Sequence, residues 1–421
     1  RVPQCLPHHV VHFAVPSTPG LGAQPGRECC GIGIPLKPKP FPAVLIFFPR
    51  SRRVVHYIAM ALQLVQFDDD GACRVCPEGI ACLRAITTPV AVVAVAGRYR
   101  TGKSYLLNHV LLQRPKGFPV GPTTQPCTKG LWLWPDTVHE SVCDDGRPCH
   151  VLVIDTEGTG ATNSNDTRDT RIFALALLLS SYFIYNSQGS IDEPALASLQ
   201  VVTHVSEMVS VKAAAVAPWN TDAPTLAHFF PTFLWVVRDF VLELRSESGS
   251  ALEESEYLEE ALRCTGGAKD EVRQAILEAF PARDCATLVR PCNDESKLRL
   301  LDQLPETELR PEFVAQTQKL RAKALAAPPK TMHGQVVTGT MLATLCECYT
   351  QAIADGGAPV IETAWTYVCV DQCRRGAKTA LDTFTATVAA DTSATPMGLG
   401  VALQQAPAQA LEQYQATAVG D

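Results

Sequence analysis

From about residue 61 onward, short runs of β-branched residues alternate with longer segments of helical periodicity. This alternation is typical of an α/β domain, in which helices flank a largely parallel sheet. Central strands of such a sheet are apolar on both faces, so continuous apolar runs mark them. The pattern predicts buried strands at residues 89–96, 151–154 and 233–237, and a weaker strand at 211–217.

Helical patterns fill the intervals between these strands and much of the chain after them. The pattern predicts helices at residues 102–112, 172–187, 243–263, 270–280, 336–354 and 359–383. The last two follow a linker at 326–330 that contains Pro328 and Pro329. Together they predict an all-α segment after the α/β domain.

Residues 1–60 differ from the rest because prolines recur throughout them. Proline opposes helix interiors and central strands, so we predict a poorly ordered leader without an assigned function. The whole chain of 421 residues is 46% hydrophobic and 19% charged, which is typical of a globular protein. This composition excludes a disordered chain and a coiled-coil rod.

The formal net charge of −7 gives no overall basic field, so we predict no nucleic acid partner. Any anion that the protein binds must therefore be held by a local binding site with its own positive charge or backbone N–H groups. No apolar run reaches the length of a membrane span, and we predict a cytoplasmic protein without an integral membrane segment. The 16 cysteines are scattered along a long chain, which favours reduced thiols over a disulfide framework.

The sequence after the first predicted strand fits a phosphate-binding loop. Residues 97–104 match G-x-x-x-x-G-K-[ST] between a strand and a helix, the context that makes this motif specific. Gly97 and Gly102 would let backbone N–H groups curl around phosphates at a helix N-terminus. Lys103 would reach the β- and γ-phosphates, and the Ser104 hydroxyl would bind Mg²⁺. Such a cradle allows an acidic protein to hold a polyanion.

The end of the second predicted strand supplies a carboxylate for the metal. Asp155 ends that strand and is followed by a glycine turn. There it could orient Mg²⁺ through water, while Gly158 brings its N–H to the γ-phosphate. Between the two motifs, Thr123, Thr124 and Thr128 are candidates for a threonine that senses the γ-phosphate through the metal. Spacing alone does not choose among these three threonines.

The third predicted strand is followed by a candidate reader of the base. The Asn-Lys-x-Asp motif of small GTPases does not occur after the second strand, but Arg238 and Asp239 follow the third. An aspartate in that place could accept hydrogen bonds from N1–H and the exocyclic amine of guanine. Because adenine cannot offer this pair of donors, GTP is favoured over ATP.

Taken in order, these motifs resemble the guanylate-binding protein family of large, dynamin-related GTPases. The resemblance is carried by residues 97–108, 126–134, 155–158, 172–181, 185–187, 238–240, 280–285, 309–313 and 364–365. It implies a P-loop GTPase domain over residues 61–330 and a partial helical, stalk-like domain over residues 331–421. Residues 1–60 lie outside it.

The resemblance implies roles for individual residues. The family's phosphate-loop lysine falls on Lys103, its internal arginine finger on Arg100, its switch threonine on Thr128 and its water-ordering glutamate on Glu157. Nucleotide contacts fall on Gly97, Tyr99, Arg100, Thr101, Gly102, Lys103, Ser104, Tyr105, Gly158, Arg238 and Asp239. With Ser104 and Asp155, Thr128 completes the expected metal ligands. Because the finger acts when two GTPase domains meet face to face, the resemblance also implies a nucleotide-dependent homodimer.

Two departures from the family pattern concern hydrolysis and length. Pro126 stands where animal members have a serine two residues before the switch threonine, and Arg98 replaces an apolar residue. The chain carries only the first part of the family's helical region. It ends in Ala-Val-Gly-Asp, so no prenyl anchor is expected.

The leading hypothesis is a Mg²⁺-dependent GTPase, stimulated by dimerisation, that releases GDP; release of GMP is not assumed. The first alternative is a GTP-switched scaffold that hydrolyses poorly because of Pro126. The second is an atlastin-like membrane-remodelling GTPase, which shares the Arg-Asp signal, although no paired membrane hairpin is apparent in these 421 residues.

Overall fold

A nine-stranded sheet organises the part of the chain that the computed structural model describes, namely residues 60–68, 71–119, 130–158, 166–209, 225–246, 249–267, 269–298, 300–391 and 396–419. Its strands are β1 (Leu62–Phe67), β2 (Cys73–Val75), β3 (Val90–Ala96), β4 (Leu131–Leu133), β5 (His139–Val142), β6 (Pro148–Thr156), β7 (Tyr182–Gln188), β8 (Thr232–Arg238) and β9 (Arg283–Leu288). Neighbours follow the order β2-β1-β4-β6-β3-β7-β8-β9, and β5 pairs with β6 beside β4.

Strands β6, β3, β7, β8 and β9 run parallel to one another. The others, β1, β2, β4 and β5, pair in the antiparallel sense on the β6 side of the sheet. The predicted α/β class with parallel strands at its centre is therefore confirmed, and the antiparallel strands make the whole sheet mixed. The carboxyl ends of the parallel strands meet along one edge, where open α/β sheets place their ligands.

The centre of the sheet is β3, in which all seven residues are buried. Its side chains alternate between two cores, with Val92 and Ala94 in one and Val93 and Val95 in the other. Burial of an aliphatic side chain of this kind stabilises the fold by roughly 1.5–3 kcal/mol. The apolar run that predicted this strand is thus explained by burial on both faces.

Helices cover both faces of the sheet. They are α1 (Pro77–Ala85), α2 (Lys103–Tyr105), α3 (Asp166–Leu179), α4 (Glu193–Ala197), α5 (Val201–Met208), α6 (Glu254–Ala261), α7 (Asp270–Ala279), α8 (Glu295–Leu298), α9 (Pro311–Leu325), α10 (Gly339–Ala354), α11 (Ile361–Asp391) and α12 (Pro396–Thr417). A π-helical segment, Leu106–Leu111, continues α2 directly. Short 3₁₀ turns lie at Leu226–His228, Leu301–Gln303 and Glu306–Glu308.

The helix predicted at residues 172–187 is wrong over its second half. Helix α3 ends at Leu179, and β7 begins three residues later. Ser181 marks the change, because its backbone N–H donates to the Val92 carbonyl of β3 and its hydroxyl accepts from the Val92 N–H. The following apolar residues pair with β3 and β8. Parallel pairing on both sides therefore overrides the local helical pattern.

The helix predicted at residues 243–263 is also wrong over its first half, because only Glu254–Ala261 is helical. The residues before it form a turn in which the Leu252 N–H donates to the Leu244 carbonyl. Glu253 then begins the helix with a capping box, in which its backbone N–H donates to the Glu256 carboxylate. The weak strand at 211–217 and residues 1–59 of the leader lie outside the described residues.

A two-stranded hairpin, β10 (Thr331–Met332) and β11 (Gln335–Val336), separates α9 from the last three helices. Helix α10 packs against α1, α3 and β2, while α11 and α12 pack along each other. No helix in the described ranges is long and apolar enough to cross a membrane. The predicted all-α segment is confirmed, and the exact domain boundary at residue 330 stays a prediction.

Candidate functional site

The predicted phosphate-binding loop connects the end of β3 to α2, at the edge where the parallel strands end. Gly97 has a φ of 143° and Gly102 a φ of 78°, conformations that favour glycine. A Cβ atom at Gly97 would overlap the Asn186 carbonyl oxygen, and one at Gly102 would overlap the Arg238 guanidinium. Both glycines of the motif are therefore required by backbone conformation and by close neighbours.

Lys103 lies at the centre of this loop with only 7% of its surface exposed. Its Nζ donates to the Arg98 carbonyl at 3.2 Å. Burial lowers the pKa of Lys103, whereas the charges of Asp155 and Glu157 act to raise it. Two carboxylates thus favour the ammonium form in a buried place, which is the form that binds a phosphate.

Ser104 and Asp155 come together beside this lysine. The Ser104 hydroxyl donates to Asp155 Oδ2 at 2.9 Å, and Asp155 is fully buried at the end of β6. Hydroxyl and carboxylate oxygens are the donors that Mg²⁺ prefers. No group of three His, Cys, Asp or Glu residues in the described ranges could hold a metal by itself. The pair therefore fits Mg²⁺, which is bound by one or two protein groups together with phosphates.

Glu157 and Gly158 follow directly after β6. The Glu157 carboxylate is 6% exposed; its Oε2 accepts from the Gly130 N–H at 3.0 Å and from Arg168 Nη2 at 2.6 Å. Gly158 lies so close to the Tyr99 backbone and to Lys103 Nζ that a Cβ atom would clash with both. This turn therefore lies against the phosphate loop, and a contact between the Gly158 N–H and a γ-phosphate stays a prediction.

Arg238 is the last residue of β8, and its side chain contacts the backbone of the phosphate loop. Its Nη1 donates to the Thr101 carbonyl at 3.0 Å and to the Gly102 carbonyl at 3.2 Å. The guanidinium is 5.8 Å from the centre of the Tyr105 ring, and burial lowers its pKa while Asp239 opposes that effect. The side chain thus contacts the loop itself, and any direct contact with a nucleotide stays a prediction.

Asp239 is half-buried, and its backbone has a φ of 55°. This left-handed conformation is tolerated by aspartate better than by most residues. Gln188 Nε2, at the end of the neighbouring strand β7, donates to its Oδ2 at 3.2 Å. The carboxylate is therefore fixed at the edge of the sheet, where it can accept further hydrogen bonds from a base.

The two remaining catalytic candidates are Arg100 and Thr128. Arg100 is exposed on the phosphate loop and has a φ of 62°, an unusual conformation for arginine. Backbone strain of this kind is often retained at functional sites. Thr128 and its neighbour Pro126 lie outside the described residues.

Comparison with known proteins bears on this arrangement. Residues 70–332 match the family model described as guanylate-binding protein, N-terminal domain, and residues 333–421 match that of the C-terminal domain. The chain belongs to the guanylate-binding protein family. The resemblance found in the sequence is thus confirmed.

Relatives within the guanylate-binding protein family include three from mammals. Human Guanylate-binding protein 6 is 41% identical over 297 residues, which are 68% of this chain and 46% of that protein. Human Guanylate-binding protein 4 is 40% identical over 69% of this chain and 46% of its own length. Mouse Guanylate-binding protein 3 is 40% identical over 69% and 47%, respectively. The chain spans about half the length of the curated relatives it matches.

Two residues of this guanylate-binding family site had no role assigned from the sequence, Asn186 and Arg168. Asn186 is fully buried, and its Nδ2 donates to the Thr101 carbonyl at 2.9 Å, which Arg238 also contacts. The helix predicted at residues 172–187 gives Asn186 no such place, because Asn186 lies in strand β7, two residues before that strand ends. Arg168 follows no motif, and only its ion pair with Glu157 draws attention to it.

Proposed function

We propose that this chain binds GTP together with Mg²⁺ and hydrolyses the bond to the γ-phosphate. The observation that carries the proposal is the buried Lys103, which faces Asp155 and Glu157 at the end of β3. A lysine in this position can accept the negative charge of the β- and γ-phosphates without reorganisation. Backbone N–H groups at the start of α2 add a favourable field for the same phosphates.

Ser104 and Asp155 would hold the magnesium ion, the serine directly and the aspartate through water. The 2.9 Å hydrogen bond between them and the influence of the Asp155 charge on Lys103 support this assignment. When bound, the ion neutralises charge on the β- and γ-phosphate oxygens. We include Thr128 as the third ligand on the basis of the family resemblance.

Asp239 would select guanine. Its carboxylate would accept from N1–H and the exocyclic amine of the base, and Gln188 already orients it from the neighbouring strand. Arg238 would act indirectly, because its guanidinium donates hydrogen bonds to the Thr101 and Gly102 carbonyls and so stabilises the shape of the phosphate loop. Base recognition and phosphate recognition would thus be linked through Arg238, the last residue of β8, and Asp239, which follows it.

Arg100 would supply positive charge to the transferring γ-phosphate when two copies of the chain meet. Its exposure on the loop supports this role, because a guanidinium in solvent can reorient when a partner surface covers it. Glu157 and Thr128 would order the attacking water. An arginine finger contributes about 10³- to 10⁵-fold to the rate of GTP hydrolysis in related enzymes.

The deciding experiment is GTP turnover measured across a wide range of protein concentration, with the product identified as GDP or GMP. We expect specific activity to rise with concentration, and Arg100→Ala to lower its maximum by about 10³-fold. Arg147→Ala, which removes an exposed arginine of the β5–β6 turn, is the matched control. Detectable turnover that is independent of protein concentration and of Arg100 would disprove the dimer mechanism.

GTP binding without turnover would favour the alternative of a GTP-switched scaffold, and Pro126→Ser would then be expected to restore hydrolysis.

Base selection is tested with Asp239→Asn. We expect this change to weaken GTP binding by about 10- to 100-fold, because hydrogen bonds to a charged group contribute roughly 1.5–3 kcal/mol. The introduced amide should at the same time improve binding of xanthosine triphosphate. Competition titrations with both nucleotides measure the ratio, and Asp144→Asn in an exposed turn is the control. An unchanged ratio would exclude Asp239 as the base reader.

A further inference from the structure

The ion pair between Arg168 and Glu157 differs from the other ion pairs in the described part of the chain. Arg168 Nη2 lies 2.6 Å from Glu157 Oε2, and the two side chains are 9% and 6% exposed. In every other pair recorded for the described residues, at least one partner is more than a tenth exposed. Burying two charges is costly, so a buried pair indicates that a specific orientation is being maintained.

The hydrogen bonds around this pair show which group is being oriented. Glu157 Oε2 accepts from Arg168 on α3 and from the Gly130 N–H at the start of β4, and the Glu157 N–H donates to the Gly130 carbonyl. Arg168 Nε, by contrast, is buried without a hydrogen-bond partner among the described residues. Among the described residues, the hydrogen bond recorded for the guanidinium is thus the one to Glu157.

Arg168 and Lys103 approach Glu157 from different helices. Arg168 on α3 forms the ion pair, and Lys103 on α2 is close enough to be affected by the charge of Glu157. Lys103 can therefore compete with Arg168 for the same carboxylate. The ion pair with Arg168 satisfies Glu157 Oε2, so that the Lys103 ammonium can bind an incoming phosphate.

We propose that Arg168 is a positioning residue of the hydrolytic site: it holds the Glu157 carboxylate in a fixed orientation beside Lys103. The inference rests on the proposed GTP hydrolysis and assigns to it a residue outside the recognised motifs. Without Arg168, the Glu157 carboxylate loses its ion pair with the guanidinium and can turn towards Lys103.

The test compares Arg168→Met, Arg168→Lys and Glu157→Gln with the wild type in steady-state GTP hydrolysis. We expect Arg168→Met to lower kcat by up to about 100-fold, the cost of displacing a group by roughly 1 Å, while KM changes less than about threefold. Arg168→Lys keeps the charge and should restore most of the activity. Arg171→Met, one turn along α3, is the matched control, since its guanidinium contacts only the Gly71 carbonyl at 3.1 Å among the described residues.

A double variant separates positioning from general stability. In the Glu157→Gln background, Arg168→Met should lower kcat no further, because the carboxylate that it orients is gone. An equal loss in both backgrounds, or an Arg168→Met enzyme with wild-type kcat, would overturn the inference while leaving GTP hydrolysis intact. Wild-type protein without GTP turnover would instead refute the proposed function and this inference with it. If Arg168→Met does not fold, the comparison of Arg168→Lys with wild type decides: a loss of kcat greater than tenfold overturns the inference.

Discussion

The two ends of strand β3 each hold a buried lysine, and the two environments differ sharply. At the carboxyl end, Lys103 is 7% exposed and faces Asp155 and Glu157. At the amino end, Lys330 is 3% exposed, and its Nζ donates to a single recorded acceptor, the Ser180 carbonyl, at 2.9 Å. Burial lowers the pKa of Lys330 to about 7, and no opposing charge is recorded.

The carboxylates that face Lys103 favour its charged form, whereas the surroundings of Lys330 disfavour a charge. Carboxylates near Lys103 offset part of the cost of burying an ammonium, and a bound phosphate can offset the rest. Lys330 lies in the predicted linker, where its backbone N–H donates to the Val90 carbonyl and its carbonyl accepts from the Val337 N–H. The backbone of Lys330 thus joins the linker to β3, while its side-chain charge is only a cost.

The largest expected effect comes from removing the charge at the carboxyl end. Lys103→Met should lower kcat for GTP by about 10²- to 10³-fold, because a preorganised positive group is lost where phosphate charge develops. The free energy of unfolding should also fall, because the buried carboxylates Asp155 and Glu157 lose the cation that they face. Turnover assays and chemical denaturation measure the two quantities. Wild-type turnover in Lys103→Met would show that the buried lysine is not part of the site.

The opposite result is expected at the amino end. Lys330→Met should leave GTP turnover unchanged and raise the free energy of unfolding by about 1–4 kcal/mol at pH 7, since replacing a buried charge by an apolar group of similar size is often stabilising. Urea denaturation at fixed pH measures the change. Destabilisation at this pH would mean that the hydrogen bond to Ser180 outweighs the cost of burial.

The pH dependence of the same variant tests the cause. Burial lowers the pKa of Lys330 to about 7 in the folded protein from 10.5 for a fully solvated lysine, so between these values the unfolded chain binds more protons. Stability of the wild type therefore gains a contribution that rises with pH across this interval. Lys330→Met lacks that contribution, and its advantage over the wild type should shrink from pH 7 to pH 9. A constant difference would exclude titration of Lys330.

The sequence predicted the carboxyl end of β3 better than the amino end for a physical reason. Gly97, Gly102 and Lys103 form a local motif whose backbone shape and chemistry depend on neighbours in sequence. Lys330 becomes buried only because the chain returns, more than two hundred residues later, to the start of β3. No local pattern distinguishes such a lysine from an exposed one.

The same distinction applies within the site. Asp155 and Asp239 were found because each follows an apolar run, so that the strand itself predicts where the carboxylate lies. Asn186 also lies near the end of a strand, but that strand continues a helical pattern and was predicted as part of a helix. Arg168 has no local signal, because its partner Glu157 is reached through the fold. Residues that bind one another across elements are the ones that sequence reasoning missed.

The smallest expected effect concerns an ion pair of the same length as that of Arg168. Arg84 Nη2 on α1 lies 2.6 Å from Glu347 Oε2 on α10, but the two side chains are 42% and 34% exposed. Water solvates both ions in either state and salt screens their attraction, so Arg84→Ala should cost less than about 1 kcal/mol in the free energy of unfolding. The loss should become smaller still in 1 M salt, and GTP turnover should remain unchanged. Denaturation at low and high salt measures it, with Arg245→Ala in the exposed pair to Glu243 as the control.

A different result would contradict this expectation: a loss of stability that is as large as that expected from breaking a buried pair and that does not change with salt. It would show that the aliphatic part of the Arg84 side chain packs between α1 and α10 and that its charge contributes little. For both ion pairs, Arg84–Glu347 and Arg168–Glu157, the distance between nitrogen and oxygen would then not predict what the pair contributes to the protein.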